Sequence, residues 1–268
     1  MTSRRNYVLF VLFVCLTLLS AGALYAGSDK GHGSHTSHWT YEGNTGPQNW
    51  GSLSGEFKLC AIGKSQSPID IKDMNNSNMP EHLSKITFSY KAVPMNIVNN
   101  GHTIQVNYAP GSSITIDDHK YELVQFHFHS PSEHTVDTTA FPMEAHLVHK
   151  DAEGKLAVVG IFLKEGKKEN AFLKNIWDNM PMKADEKKLD NAKMLNVKDL
   201  LPAQTERYYY TGSLTTPPCS EGVSWNVLKE PMEISKEQIA KYVSVMGANT
   251  ARPVQPLNER QLELSIGN

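Results

Sequence analysis

The sequence predicts a mainly β fold of the α+β kind, a sheet with helices at its periphery. Three observations carry this. From Gln125 to His129 residues alternate, Gln125, His127 and His129 to one side and Phe126 and Phe128 to the other, the period of a strand with one buried face. Glu144, His146 and Val148 alternate in the same way. Between Ile86 and Leu163 short apolar or alternating runs follow one another, whereas helical spacing is found only twice.

Taken in order, the chain opens with Arg4 and Arg5 before an apolar run from Tyr7 to about Leu19. Small residues follow at Ser20, Ala21, Gly22, Ala23 and Ala26. This is the pattern of a signal peptide over residues 1–26, cleaved after Ala23 or Ala26. It predicts an exported protein, periplasmic or extracellular, with no stable membrane anchor. Removing residues 1–26 takes Arg4 and Arg5 with it and leaves 24 basic against 28 acidic residues, a net charge near −4. That balance points to neither nucleic acid nor an anionic membrane as partner. Cys15 leaves with the signal. The remaining pair, Cys60 and Cys219, is expected to be bridged in an oxidising compartment, and their spacing excludes a C-x-x-C redox or zinc motif.

Residues 27–37 read as a flexible tail rich in histidine, solvated rather than metal-scavenging, and residues 38–268 as a single domain. Trp39 and Tyr41, close to the start of that domain, are placed to pin the terminus onto the core. Strands are predicted at Ile86–Tyr90, Asn96–Val98, Thr103–Tyr108, Ser113–Ile116, Tyr121–His129, Glu144–His149 and Leu156–Leu163. Asn100-Gly101 makes a tight turn between two of them. Helices are predicted at Lys168–Met180 and Ser235–Met246. In the second, Ser235 and Gln238 fit a capping box, and Ile239, Tyr242, Val243 and Met246 form an apolar stripe.

The chemistry concentrates between Gln125 and His149, which hold five of the eleven histidines. Histidines at i and i+2 share a strand face about 6.5–7 Å apart. Leaning together they close on one ion, and a neighbouring antiparallel strand supplies His146 as third ligand. Three nitrogen ligands without a thiolate predict a catalytic zinc site with a fourth position open to water. Gln125 and Glu144 each stand two residues before a ligand on the same face, placed to accept the other ring N–H and fix the tautomer.

The motifs QFHFH, SEHTV, EAHLVH, YTGSLTTPPC and RPVQPLNERQ together resemble the α-class carbonic anhydrases, and the secreted bacterial type most of all. HWTYEG, QSPIDI, NNGHTIQV, LAVVGIFLK and LKEPMEIS extend the resemblance from about His38 to Gln261. It implies a large twisted, mostly antiparallel sheet and reversible hydration of carbon dioxide by a zinc-bound hydroxide. His127, His129 and His146 are then the zinc ligands, Gln125 and Glu144 their outer partners, and a backbone carbonyl near Thr250 the partner of His129. Thr250-Ala251 departs from the Asn-Trp of the animal enzymes. Glu133 and Thr215 form the gate: Glu133 accepts the Thr215 proton, so that the Thr215 hydroxyl accepts from the nucleophile. His102 is the proton shuttle, at the end of a strand, with Tyr41, Asn100 and Gln105 along its path. Val148, Val158, Leu214, Thr215, Thr216, Val223 and Trp225 bind the substrate. Cys60 and Cys219 match the bridged pair of secreted members, and sulfonamides are the implied inhibitors.

Two rivals are weighed against this. His127, His129 and Glu133 also fit the H-x-H-x3-E ligand set of a cupin, but Tyr121 stands where a cupin carries glycine. A zinc-carrying or interaction protein on the same scaffold is the non-enzyme alternative; relatives that lost catalysis have usually lost a ligand, and all three are present here. The sequence leaves the oligomeric state open, a homodimer included.

Overall fold

Central strands buried on both faces organise the molecule. The computed structural model describes residues 38–72 and 84–265. The expected signal segment and the tail lie outside the described residues. Among the described residues no helix is long and apolar enough to cross a membrane.

Two short helices near the start, α1 (Trp50–Leu53) and α2 (Leu59–Ile62), carry Trp50 and Cys60 into a small apolar cluster with Cys219. The Cys60–Cys219 disulfide closes it, joining residues 159 apart in sequence. Strand β1 (Asp70–Ile71) pairs with β7 (Thr135–Val136), which pairs with β8 (Thr139–Ala140), in a three-stranded sheet.

The large sheet comprises eleven strands. Its first half is β2 (Ile86–Ser89), β3 (Val93–Asn99), β4 (Ile104–Asn107), β5 (Ser113–Ile116) and β6 (His119–His129). The second half is β9 (Met143–Lys150), β10 (Leu156–Gly166), β11 (Lys187–Leu195), β12 (Arg207–Ser213), β13 (Glu221–Ser235) and β14 (Glu263–Ser265). The order across it is β11-β3-β4-β6-β9-β10-β13-β12-β14, with β5 on β6 and β2 on β5. All its pairings are antiparallel except β10 with β13, which is parallel.

One face of this sheet packs Phe126, Phe128, Ala145, Leu147, Val159 and Ile161 against α3 (Ala171–Trp177) and α4 (Lys236–Met246). Each large side chain so buried contributes about 1.5–3 kcal/mol. The other face packs Val158, Val223 and Trp225 with Tyr210 and Leu262. β10 is apolar along most of its length because it is covered on both sides.

Three features differ from the sequence reading. The helix predicted at Lys168–Met180 is shorter, because the Asn170 side chain accepts from Leu173 N and sets the first turn at Ala171. Seven strands lie outside those expected, the two-residue β1, β7 and β8 and, in the large sheet, β11 to β14: β11 has a single buried residue, and β13 contains Pro231 at a break in its register with β10. Within β6 the alternation slips. Leu123 pairs with His149 but Gln125 with Val148, so Val124 is an extra residue, 46% exposed. This β-bulge puts Leu123, Phe126 and Phe128 on the core side and leaves Gln125, His127 and His129 for the other. The α4 capping box is present as predicted, Ser235 with Gln238.

Candidate active site

Strands β6 and β9 run antiparallel with His127 directly opposite His146 and His129 opposite Glu144. Opposed residues point to the same face, so the i, i+2 pair on β6 and the single histidine on β9 converge. One ring nitrogen from each of His127, His129 and His146 lies within 4.8 Å of the others. His127 is half-buried and the other two are buried.

The remaining ring nitrogens are committed. His127 Nδ1 lies 2.9 Å from Gln125 Oε1, His129 Nδ1 2.6 Å from Thr250 O, and His146 Nε2 2.9 Å from Glu144 Oε1. An amide oxygen, a carbonyl and a carboxylate accept, so each of these nitrogens carries the proton. Lone pairs are thereby left on His127 Nε2, His129 Nε2 and His146 Nδ1. His129 Nε2 is buried without a hydrogen-bond partner. Burial and the neighbouring histidines hold the His127 imidazolium well below its usual range, and burial lowers His129 against the opposing pull of Glu133. Burial would lower His146 as well, but the charge and hydrogen bond of Glu144 outweigh it and raise this one.

Glu144 is the most heavily bonded group in the site. Its Oε2 accepts from Glu133 N and His134 N, and its Oε1 from His134 Nδ1 and His146 Nε2, all at 2.8–2.9 Å. Gly160, opposite His146 on β10, leaves room for the Glu144 carboxylate: an added Cβ there would stand 3.0 Å from Oε1. His134, which the sequence reading passed over, continues the chain: its Nε2 lies 2.7 Å from Tyr210 Oη, which is 2.8 Å from Ser67 Oγ. Ser67 and Ser213 exchange hydrogen bonds beside Leu214. His149, the fifth histidine of the window, faces the opposite side, against Tyr90, and burial pushes it down to about 3.

Glu133 Oε1 accepts from Arg252 N at 2.9 Å, and its Oε2 stands 3.5 Å from His129 Nε2 and 3.8 Å from His146 Nδ1. The expected bond from Thr215 to Glu133 is not made here: Glu133 Oε2 is buried with no hydrogen-bond partner and points at the histidine lone pairs. Thr215 is nonetheless buried at the end of the Ser213–Leu214 segment that the serine pair fixes. Val158, Val223 and Trp225 form one apolar cluster with Val148 and Leu214 packed on it, and Thr216 is half-buried nearby in sequence. The Trp225 ring lies 4.9 Å from that of His146.

His102 lies in the turn between β3 and β4 rather than at a strand end. Asn100 Oδ1 accepts from His102 N and Thr103 N, which folds the turn. The His102 ring stacks on Trp39 at 3.7 Å, and burial, then the nearby His38, lower its pKa. Asn100 Nδ2 donates to Gln105 Oε1 at 3.4 Å, and Gln105 pairs with His127 across β4 and β6. Tyr41 Oη is buried and unpartnered.

A β-sheet floor carrying three convergent imidazoles, a hydrogen-bonded carboxylate and an apolar flank is a site able to hold a metal ion through histidine nitrogens alone. The model of the eukaryotic-type carbonic anhydrase family matches residues 45–266. A Neisseria gonorrhoeae carbonic anhydrase is 45% identical over 251 residues, 93% of each chain. A hyperthermostable carbonic anhydrase from a hydrothermal vent chimney superposes with a TM-score of 0.80 at 51% identity, covering 85% of this chain and all of that one. The α-carbonic anhydrase of Thermovibrio ammonificans, in complex with the inhibitor sulfanilamide, gives 0.80 at 45% identity over 85% and 99%. The chain belongs to the α-class, eukaryotic-type carbonic anhydrase family and is an enzyme of that kind.

Proposed function

We propose that His127, His129 and His146 hold a zinc ion and that the site interconverts carbon dioxide with bicarbonate and a proton. The observation that carries this is the arrangement of the three rings: every outer nitrogen is committed to an acceptor, so three lone pairs meet at one point without a thiolate. That donor set fits zinc. When bound, zinc makes a nucleophile available at neutral pH by acidifying the water it holds, to a pKa of about 7 in this family.

The chain's own residues do the rest. Gln125, Glu144 and the Thr250 carbonyl fix the tautomers and aim the rings. Glu133 Oε2, short of a partner in this arrangement, is the acceptor for a hydrogen bond from Thr215, and the Thr215 hydroxyl so committed has only lone pairs to offer inward. Val148, Val158, Leu214, Val223 and Trp225 give an apolar molecule a surface to lie on beside that point, with Thr216 at its polar edge. The proton leaves through His102, with Tyr41, Asn100 and Gln105 ordering the water between. The Cys60–Cys219 disulfide and the apolar start of the chain support export.

Dialysis of the purified protein against a strong zinc chelator is expected to abolish stopped-flow hydration of carbon dioxide. Added zinc should restore it and magnesium should not. Full activity at residual zinc below one atom per hundred chains, by elemental analysis, overturns the reading.

The shuttle is tested separately. Without a base near neutrality, proton loss to water is limited to about 10³ s⁻¹ by recapture at about 10¹⁰ M⁻¹s⁻¹. His102→Ala is expected to bring turnover in dilute buffer toward that ceiling, to leave zinc content unchanged, and to recover with added imidazole. Equal turnover of mutant and wild type in poorly accepting buffer assigns the role elsewhere.

A further inference from the structure

Arg252 is buried, 2% exposed, yet its guanidinium meets only uncharged acceptors. Nη1 donates to Gln66 Oε1 at 2.9 Å and Ser67 O at 2.8 Å, Nη2 donates to Cys60 O at 3.0 Å, and the group stands 5.7 Å above the Trp50 ring. Among the described residues no carboxylate forms an ion pair with it. A charge taken from water into such a place is costly. A neutral side chain of equal size would fill the space at lower cost.

What the fork joins gives it a use. Its own backbone N holds Glu133 Oε1, and two residues earlier the Thr250 carbonyl holds His129 Nδ1. Thr250 is itself tied to Ser130, directly after His129, by Thr250 N to Ser130 O at 2.7 Å and Ser130 N to Thr250 Oγ1 at 3.0 Å. On the far side, Gln66 Nε2 donates to Cys219 O at 3.0 Å, and Cys219 N donates to Thr216 O at 2.9 Å. One guanidinium therefore links residues 60–67, the loop that ends in Cys219 and carries Thr215, and residues 250–252. A planar fork with fixed donor directions makes this connection; a lysine ammonium on a flexible stem does not.

We propose that Arg252 is a positioning residue for the carbonic anhydrase reaction, its guanidinium holding residues 250–252 so that Glu133 and His129 keep their orientation. The proposal rests on the zinc reading above. Arg252 touches neither the metal point nor the substrate surface; it acts through Glu133, through the Thr250 carbonyl and, by way of Gln66, through the loop carrying Thr215.

The test uses Arg252→Lys, which keeps the charge and loses the fork, studied at a temperature where the variant is fully folded. Turnover per bound zinc is expected to fall about tenfold, and zinc release to a chelator to accelerate about tenfold, as for loss of a group that orients a ligand. In the zinc-free protein the His129 Nδ1–H should exchange faster with water by nitrogen-15 NMR. This readout does not depend on zinc or activity, so it decides the proposal even if the zinc reading fails. A purely structural role lowers the melting temperature and moves none of the three. If Arg252→Lys does not fold, Gln66→Met removes one acceptor of the fork and should shift the same quantities at least about twofold. Values within twofold of wild type in whichever variant folds overturn the proposal.

Discussion

His129→Ala is expected to purify with less than a tenth of the zinc of the wild type and to hydrate carbon dioxide at least about 10³-fold more slowly. A metal centre contributes several kcal/mol of transition-state stabilisation, and each 1.36 kcal/mol is tenfold in rate. Two lone pairs remain in the variant, on His127 and His146, too few to hold zinc against water, and the Thr250 carbonyl loses its donor. The informative control is His149→Ala. His149 is as deeply buried, in the same window, but its ring lies on the opposite face against Tyr90. That variant should lose stability and keep both zinc and turnover per zinc. Elemental analysis and stopped-flow hydration on both proteins check the pair. Wild-type zinc in His129→Ala removes it from the ligand set.

Much of the site could be read from the sequence because it is local in a strand. Gln125, His127, His129, Glu144 and His146 lie within a window whose alternation fixes which side chains share a face, and β6 and β9 are neighbours in the sheet. What could not be read from the residues themselves has two physical causes. The partner of Glu133 is a backbone N–H more than a hundred residues away, at Arg252, and backbone groups leave no mark in residue type; the Thr250 carbonyl on His129 was expected from the family resemblance alone. The chain from Glu144 through His134 and Tyr210 to Ser67 joins residues with no common period. The fold shows the same division. α4 announces itself through its capping box, whereas β11 (KKLDNAKML), an edge strand with one buried residue, has no apolar face to alternate. The bulge at Val124 did leave a trace: Leu123 and Phe126, three apart, are both apolar, a slip in a period of two.

Glu144→Gln is expected to destabilise the protein severely. The carboxylate is fully buried and accepts four N–H groups, two from the backbone and two from imidazoles. A glutamine oxygen can serve two of them; its amide nitrogen then faces the other two donor to donor. Leaving a buried donor unsatisfied costs about 1–3 kcal/mol. Two such losses take away a large part of a total stability of about 5–15 kcal/mol. Zinc release should also accelerate about 10–100-fold, because His146 loses the acceptor that fixes its tautomer. The pH dependence gives the sharper test. Burial would raise the Glu144 carboxyl, but the charges and hydrogen bonds of His134 and His146 hold it well below the usual range when folded. A depressed carboxyl binds fewer protons folded than unfolded, so its stabilisation is present above the unfolded pKa of 4.5 and is lost as pH falls toward the folded value. The glutamine variant has no such carboxyl. Measured on the zinc-free proteins, the gap in melting temperature between wild type and Glu144→Gln should be largest above pH 4.5 and should close as the solution is acidified. Melting curves that coincide at pH 7, or a gap that widens in acid, would show that Glu144 is not held ionised by its four donors.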